Sequence, residues 1–157
     1  MSTPNLLEIK DLSVEYPSYE GSCEAVNSLH LSVRSGEIVG LIGDTGCGKS
    51  TAALAILGLT RVPGRITSGE VLFQGQDLLK LDTAELREIR GREISIILQN
   101  PRAALNPLLP IGQQIANVYL AHHDASRAEA RDYAVRMLGM VGINDPRIRG
   151  SAYPFLL

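Results

Sequence analysis

Three short stretches near the start of the sequence alternate apolar and polar residues. They cover residues 6–10, 12–16 and 29–33, and Pro17 ends the second of them. Successive side chains of a β-strand point to opposite faces, so this alternation is typical of strands with one buried and one exposed face. The pattern therefore predicts antiparallel strands in this part of the chain, with a loop over residues 18–24.

Two other stretches are almost continuously apolar and rich in β-branched residues. Residues 38–42 read Ile-Val-Gly-Leu-Ile, and residues 94–98 read Ile-Ser-Ile-Ile-Leu. Such runs are typical of strands that are covered on both faces in a parallel sheet. We therefore predict two buried parallel strands. Gln99 follows the second one, at the sheet edge where open parallel sheets bind ligands.

Helices are predicted around these strands. An apolar helix covers residues 52–59, and a second helix begins at Asp82, with Glu85 as its capping partner. Later helices cover residues 112–122 and the segment that starts at Ser126 with Glu129, whose apolar stripe runs through Ala130, Ala134, Met137, Leu138 and Val141. A loop over residues 60–69 and a short strand over 71–73 precede the Asp82 helix. Residues 100–110 contain three prolines, which predicts an ordered surface loop.

Residues 43–50 read Gly-Asp-Thr-Gly-Cys-Gly-Lys-Ser, which fits the phosphate-binding pattern G-x-x-x-x-G-K-[ST]. The glycines let backbone N–H groups turn inward, and the amino end of the following helix favours negative charge. Lys49 would reach the β- and γ-phosphates, and the Ser50 hydroxyl would ligate the Mg²⁺ that bridges them. The candidate binding residues are Gly43, Asp44, Thr45, Gly46, Cys47, Gly48, Lys49, Ser50 and Thr51.

Composition and charge limit the classes of binding partner that the sequence predicts. Hydrophobic residues make up 45% of the 157 and charged residues 20%, as in ordinary globular chains, and the formal net charge is −2. Without a basic surface, no nucleic acid partner is predicted. Two cysteines indicate a reducing compartment rather than a disulfide framework. No secretory signal is recognised and the longest apolar stretch is too short to cross a bilayer, so any membrane contact is expected to be indirect.

The order of these features resembles the ATP-binding subunits of ABC transporters. Strands ahead of the phosphate loop, Tyr16, residues 43–51 and Gln99 followed by helices all fit that family. Residues 94–101, the Leu-Asn-Pro at 105–107, the Gly-Gln-Gln-Ile at 112–115 and Tyr153-Pro154 are similar to its oligopeptide, dipeptide and nickel importer class. The resemblance covers nearly the whole chain.

The resemblance implies an α/β fold, the amino-terminal half of one P-loop NTPase domain of the ABC type. That half would contain an antiparallel β subdomain, an incomplete RecA-like sheet and part of the helical subdomain. Residues 1–99 would form the β subdomain and the P-loop core, and residues 100–157 the Q-loop and the partial helical subdomain.

Roles for particular residues follow from the same resemblance. The ligands would be ATP and Mg²⁺. Tyr16 would stack on the adenine, although a strand aromatic packed within the β subdomain is the alternative. Gln99 would contact Mg²⁺ or the attacking water and act with Lys49 in catalysis. Asp44 stands where the family more often has Glu, and Cys47 where it more often has Ser. Both positions present backbone N–H groups, so we expect phosphate binding to persist.

Several parts of the family's catalytic site do not occur in these 157 residues. Tyr153-Pro154 would be followed within a few residues by the Leu-Ser-Gly-Gly-Gln signature, and the Walker-B Asp, the following Glu and the switch His are also absent from the sequence. We therefore expect a truncated chain that binds nucleotide, hydrolyses little or no ATP by itself, and exposes apolar strand edges that favour aggregation.

Two classes of function stay open on the sequence. The first is an ATPase subunit that powers import of peptides or nickel-type substrates. It would act with transmembrane permease subunits and a second ATP-binding subunit, in a homo- or heterodimer, on the cytoplasmic face of the inner membrane. The second is a non-catalytic, truncated gene product that binds nucleotide at most. A small P-loop kinase or GTPase fits less well, because such proteins do not begin with these strands and no Asn-Lys-x-Asp sequence is present.

Overall fold

The computed structural model describes residues 5–19 and 21–156. Contacts divide the chain into two compact units, Met1–Arg90 and Gly91–Leu157, which we call the N-terminal unit and the C-terminal unit. The division falls after Arg90, whereas the sequence suggested a boundary after Gln99.

The N-terminal unit is built on a four-stranded antiparallel sheet. Its strands are β1 (Asn5–Ser18), β2 (Gly21–Arg34), β3 (Arg65–Phe73) and the two-residue β4 (Gln76–Asp77), in the order β2-β1-β3-β4. The two alternating stretches at 6–10 and 12–16 form one strand, β1, whose pairing with both neighbours shifts around Asp11. Both β2 and β3 begin earlier than expected, so the predicted loops at 18–24 and 60–69 are shorter in the structure.

The core of this sheet follows the alternation in the sequence. Ile9, Leu12 and Val14 of β1 and Val71 of β3 are buried, and Leu12 is fully so. Gly69 of β3 lies against β1 with a φ of +102°, and a Cβ there would be 2.5 Å from the Leu12 Cα. The close approach of β3 to β1 at this point therefore requires glycine.

The two continuously apolar stretches do not form the parallel strands that the sequence predicts. Residues 38–42 contain no strand, and in residues 94–98 only Ile94 has an isolated bridge. Ile38, Ile42 and Ile97 are 98%, 95% and 92% exposed. Among the described residues the antiparallel sheet is the only one. A central parallel strand needs hydrogen-bonding neighbours from distant parts of a chain, and no described segment supplies them here.

Two helices complete the N-terminal unit. Helix α1 (Lys49–Ile56) follows the glycine-rich loop and ends earlier than the apolar run at 52–59 suggested. Helix α2 (Thr83–Ile89) begins as predicted, with the Asp82 side chain accepting from the Glu85 amide and the Glu85 carboxylate accepting from the Asp82 amide. A 3₁₀ turn, Leu78–Lys80, precedes it.

The C-terminal unit is helical. Its helices are α3 (Ile111–His122), α4 (Arg127–Met140) and the short α5 (Pro146–Gly150), with 3₁₀ turns at Pro101–Ala104 and Pro154–Leu156. As predicted, residues 100–110 contain neither an α-helix nor a strand. None of the helices among the described residues combines the length and apolar character needed to span a bilayer.

Small residues hold α3 and α4 together. Ala116 of α3 packs with Ala130 and Ala134 of α4, all of them buried, and the Tyr119 and Tyr133 rings stack with centroids 4.2 Å apart. The predicted capping box at the start of α4 is present, and the hydrogen bonds from Ser126 hold the pKa of the Glu129 carboxyl below its usual value. Val141 was expected in the apolar stripe but lies past the end of α4 and is exposed.

Candidate functional site

The glycine-rich loop runs into the amino end of α1. Gly46 and Gly48 have φ values of +87° and +90°, which favour glycine, and Gly48 is the N-cap of the helix. No described side chain caps this end, so the backbone N–H groups of Lys49, Ser50 and Thr51 have no acceptor within the helix. Three such N–H groups at the positive end of a helix dipole form a site suited to an anion.

Lys49 folds back over this loop. Its Nζ donates to the carbonyl oxygens of Gly43 and Asp44, each at 2.7 Å, and to the Cys47 Sγ at 3.2 Å. All three donors of the ammonium group are therefore used within the loop. These hydrogen bonds hold the charge of Lys49 against the loop, with Gly43, Asp44 and Cys47 around it.

The loop also packs against the antiparallel sheet. A Cβ at Gly48 would collide with the carbonyl oxygen of Ala25 in β2, so only glycine allows this contact. Ala25 lies two residues along β2 from Cys23, which pairs with Tyr16 of β1. Two residues of a strand span about 7 Å, so one short piece of β2 connects Tyr16 with the start of α1.

Tyr16 is half-buried near the end of β1. Its ring packs on Gly64, where a Cβ would lie 2.6 Å from two ring carbons. The ring thus has a structural contact with the 61–64 turn. A contact of this kind is compatible with the alternative interpretation of Tyr16, and the stacking of its ring on adenine stays a prediction.

Arg90, which the sequence did not single out, holds the other end of α1. Its guanidinium donates to the carbonyl oxygen of Leu57 at 2.8 and 2.5 Å and to that of Gly58 at 3.2 Å. These carbonyls have no partner within the helix, and a positive charge at a helix C-terminus is favourable. Arg90 lies 33 residues from Leu57 in sequence, and no local pattern predicts the pairing.

Gln99 and Ser50 are the remaining predicted ligands. Gln99 is exposed in a bend of the C-terminal unit, and the strand expected before it is not formed. The Ser50 side chain is exposed on the first turn of α1. No cluster of three or more His, Cys, Asp or Glu side chains that could hold a metal exists among the described residues. A Mg²⁺ here would fit only as an ion shared between the Ser50 hydroxyl and the phosphates of a bound nucleotide.

A comparison with protein-family models decides the family. The ABC transporter family model matches residues 26–153, which is most of the chain. This chain belongs to the ABC transporter family.

Named relatives within the ABC transporter family support the resemblance to its oligopeptide and dipeptide class. The oligopeptide transport ATP-binding protein OppD of Escherichia coli is 41% identical over 149 residues, which is 95% of this chain and 44% of OppD. The dipeptide transport ATP-binding protein DppD of Escherichia coli is 38% identical over 152 residues, 97% of this chain and 46% of DppD. The chain spans less than half the length of these relatives.

Solved structures of ABC cassettes share the fold. The dimeric post-hydrolysis state of the ATP-binding cassette MJ0796 with ADP and Pi has a TM-score of 0.81 and 26% identity, covering 96% of this chain and 62% of that one. A second dimeric structure of MJ0796 gives the same TM-score with 27% identity. The α/β P-loop fold that the resemblance implied is therefore confirmed for this ABC transporter chain, although its described part contains no parallel sheet.

Proposed function

We propose that this chain is the ATP-binding part of an ABC importer for peptides. The observation that carries the proposal is the loop at residues 43–51, where three uncapped N–H groups and the Lys49 ammonium meet in a chain of the ABC transporter family. The transport of peptides is supported by the names of the relatives OppD and DppD. The proposed range of imported substrates includes nickel-type substrates as well as peptides.

Phosphate binding at this loop is an exchange of partners. Because all three donors of Lys49 already have acceptors in the loop, a phosphate oxygen replaces at least one of Gly43 O, Asp44 O and Cys47 Sγ. The negative charge of the phosphate makes it a stronger acceptor than a carbonyl oxygen or a thiol. The uncapped N–H groups of the first turn of α1 then bind the other phosphate oxygens.

The other ends of the nucleotide are assigned to neighbouring groups. Mg²⁺, held by the Ser50 hydroxyl and phosphate oxygens, would offset the charge that develops during phosphoryl transfer. Tyr16 stacks its ring on the adenine. Gln99 would contact the Mg²⁺ or the attacking water and, with Lys49, would contribute to catalysis.

Assembly and location follow the same proposal. The chain acts with transmembrane permease subunits and with a second ATP-binding subunit, at the cytoplasmic face of the inner membrane. The dimeric state of MJ0796 in both matched structures supports the pairing of two such subunits.

A titration with Mg-ATP tests the nucleotide site. Wild type, Lys49→Ala and the control Lys10→Ala, which removes a Lys from the exposed pair with Glu8 on β1, are compared by calorimetry. Loss of a charge-assisted hydrogen bond costs about 1.5–3 kcal/mol, so Lys49→Ala should weaken binding by about tenfold or more. The control should bind like wild type. Equal affinity of Lys49→Ala and wild type would reject the site.

A further variant and a further measurement separate the parts of the proposal. Tyr16→Leu should weaken Mg-ATP by about 1–3 kcal/mol through lost stacking, but leave the affinity for inorganic tripolyphosphate unchanged. An equal loss for both ligands would show that Tyr16 acts only by packing on Gly64. Any phosphate release measured in parallel should be lost in Lys49→Ala, and release that persists without Lys49 would contradict its proposed role in catalysis.

A further inference from the structure

A groove of about 720 Å³ opens among α3, α4 and α5, wholly within the C-terminal unit. Arg127 and Arg131 line it from α4, and Arg147 lines it from α5. The side chains of these three residues make no ion pair or hydrogen bond with any residue that the structure describes. Asp132 is the one acidic side chain among the described residues of its lining. Three guanidinium groups therefore face a single cavity.

Close packing fixes the walls of the groove. The first turn of α3 meets α5 backbone to backbone, since a Cβ on Gly112 would lie 2.8 Å from the Gly150 carbonyl oxygen. The Ile111 amide donates to the Ala152 carbonyl at 3.0 Å, which joins the same two segments. On the other side, Leu138 of α4 reaches Gly150. Helices α4 and α5, which carry the arginines, are thus held in place by their packing with each other and with α3.

The amino end of α3 adds to the positive character of the groove. Gly112 and Gln113, in its first turn, belong to the lining. The N-cap is Pro110, and no described side chain caps this end, so the N–H groups of these two residues have no acceptor within the helix. In a twelve-residue helix the dipole gives this end a partial positive charge, which supports the arginines.

The C-terminal unit has a positive formal charge, whereas the N-terminal unit has a negative one. Residues 91–157 contain seven Arg, no Lys and five acidic residues, whereas residues 1–90 contain eight Lys and Arg against twelve Asp and Glu. Guanidinium groups bind carboxylates and phosphates with two parallel hydrogen bonds, which an ammonium group does not do. All of the positive side chains of the C-terminal unit other than histidine are therefore of the kind that can bind a phosphate group with two hydrogen bonds.

We propose that this groove binds a small organic phosphate that carries two or more negative charges. Its volume lies in the range of about 300–1,000 Å³ that is usual for small-molecule sites. The arginines and the first turn of α3 bind the phosphate groups. Leu120 and Val135 cover the organic part, and Asn117 offers it a polar contact. The site shares no residue with the loop at 43–51, so it is a second anion site.

Binding of inorganic pyrophosphate tests the proposal. The titration is done in the Lys49→Ala background, which weakens the loop site, and compares Arg131→Gln with Arg136→Gln. Arg136 is also on α4, but its guanidinium lies over the Tyr133 ring, 5.9 Å from the centroid, and does not line the groove. We expect saturable binding with a Kd below about 1 mM, weakened about tenfold or more by Arg131→Gln and unchanged by Arg136→Gln.

Arg131→Lys and lipid vesicles complete the design. Arg131→Lys keeps the charge but loses the two-pronged geometry. Its affinity should therefore fall between that of the parent protein and that of Arg131→Gln, while the circular dichroism of all three proteins stays the same. Equal losses for Arg131→Gln and Arg136→Gln, or no saturation at millimolar pyrophosphate, would overturn the proposal. So would Arg131-dependent binding to phosphatidylglycerol vesicles without binding of pyrophosphate, because that result would assign the arginines to a lipid headgroup.

Discussion

Strand β1 and residues 38–42 are both apolar enough to form sheet, yet only β1 does. Its partners β2 and β3 come from the same part of the chain, and its alternating pattern needs to be covered on one face only. Residues 38–42 are apolar on every side, so they need neighbours on both edges and cover on both faces. The difference shows that an apolar sequence specifies a strand only when its partners are present.

Truncation of one aliphatic side chain in each region should give the largest contrast. Leu12→Ala removes a fully buried side chain from β1 and should lower the free energy of unfolding by about 2–5 kcal/mol. Ile38→Ala changes a side chain that is 98% exposed and should shift it by no more than about 0.5 kcal/mol. Urea unfolding measures both. Similar losses would mean that residues 38–42 are packed in solution, and the comparison would fail.

Two glycines of the sheet offer a smaller contrast. Gly69 and Gly75 both have positive φ, +102° and +84°, but only Gly69 faces another strand. The backbone strain of Gly→Ala costs about 1–3 kcal/mol at either position. Gly69→Ala should cost more than Gly75→Ala, because its Cβ would meet the Leu12 Cα at 2.5 Å. Thermal melts of the two variants give the difference, and equal melting temperatures would refute the requirement for glycine at 69.

Acid should loosen the sheet at its β4 edge. Burial raises the pKa of the Asp77 carboxyl, but the hydrogen bonds from Lys80, Leu79 N–H and Val71 N–H outweigh it and leave the pKa below its usual value. A lowered pKa in the folded state adds stability above about pH 4, the usual pKa of Asp, and this stability disappears as pH falls through the lower folded value. Asp77→Asn should therefore flatten the acid limb of the stability curve. An unchanged limb would show that Asp77 is not the group responsible.

Two substitutions by lysine should have the smallest effect on stability and yet clearly raise solubility. Ile38→Lys and Ile97→Lys place a charge in each unpaired apolar stretch, where the side chains are exposed, so the free energy of unfolding should barely change. Both should raise the concentration at which light scattering begins, because charges on apolar segments oppose edge-to-edge association. Val62→Lys is the control, since Val62 is equally exposed but lies outside any apolar run. If this concentration rises equally in all three variants, the change in net charge alone explains the result.

Features with short-range signals could be read from the sequence. The glycine-rich loop, the helix after it and the capping boxes at Asp82 and Ser126 each depend on residues a few positions apart, and the structure contains all of them. The strands of the antiparallel sheet also follow from local alternation. The role of each residue in the loop stays a prediction, which measurements of nucleotide binding by the variants test.

Features that depend on distant residues could not be read in this way. The parallel strands at 38–42 and 94–98 are predicted from short runs of apolar, β-branched residues, and such runs contain no information on whether neighbours are present. Arg90 caps α1 across 33 residues, and the three arginines of the groove come together only because α3, α4 and α5 pack. Periodicity describes the face of an element, but it does not say which other element lies against that face.

The contact of Gly48 with Ala25 determines how the two ends of a nucleotide would be spaced. The start of α1 rests on β2, two residues from the partner of Tyr16, and Arg90 holds the end of α1 within the same unit. The amides proposed to bind the phosphates and the ring proposed to stack on the base therefore share one support, and residues 38–42 are not part of it. A rearrangement of those apolar residues would leave the distance between the Tyr16 ring and the start of α1 unchanged.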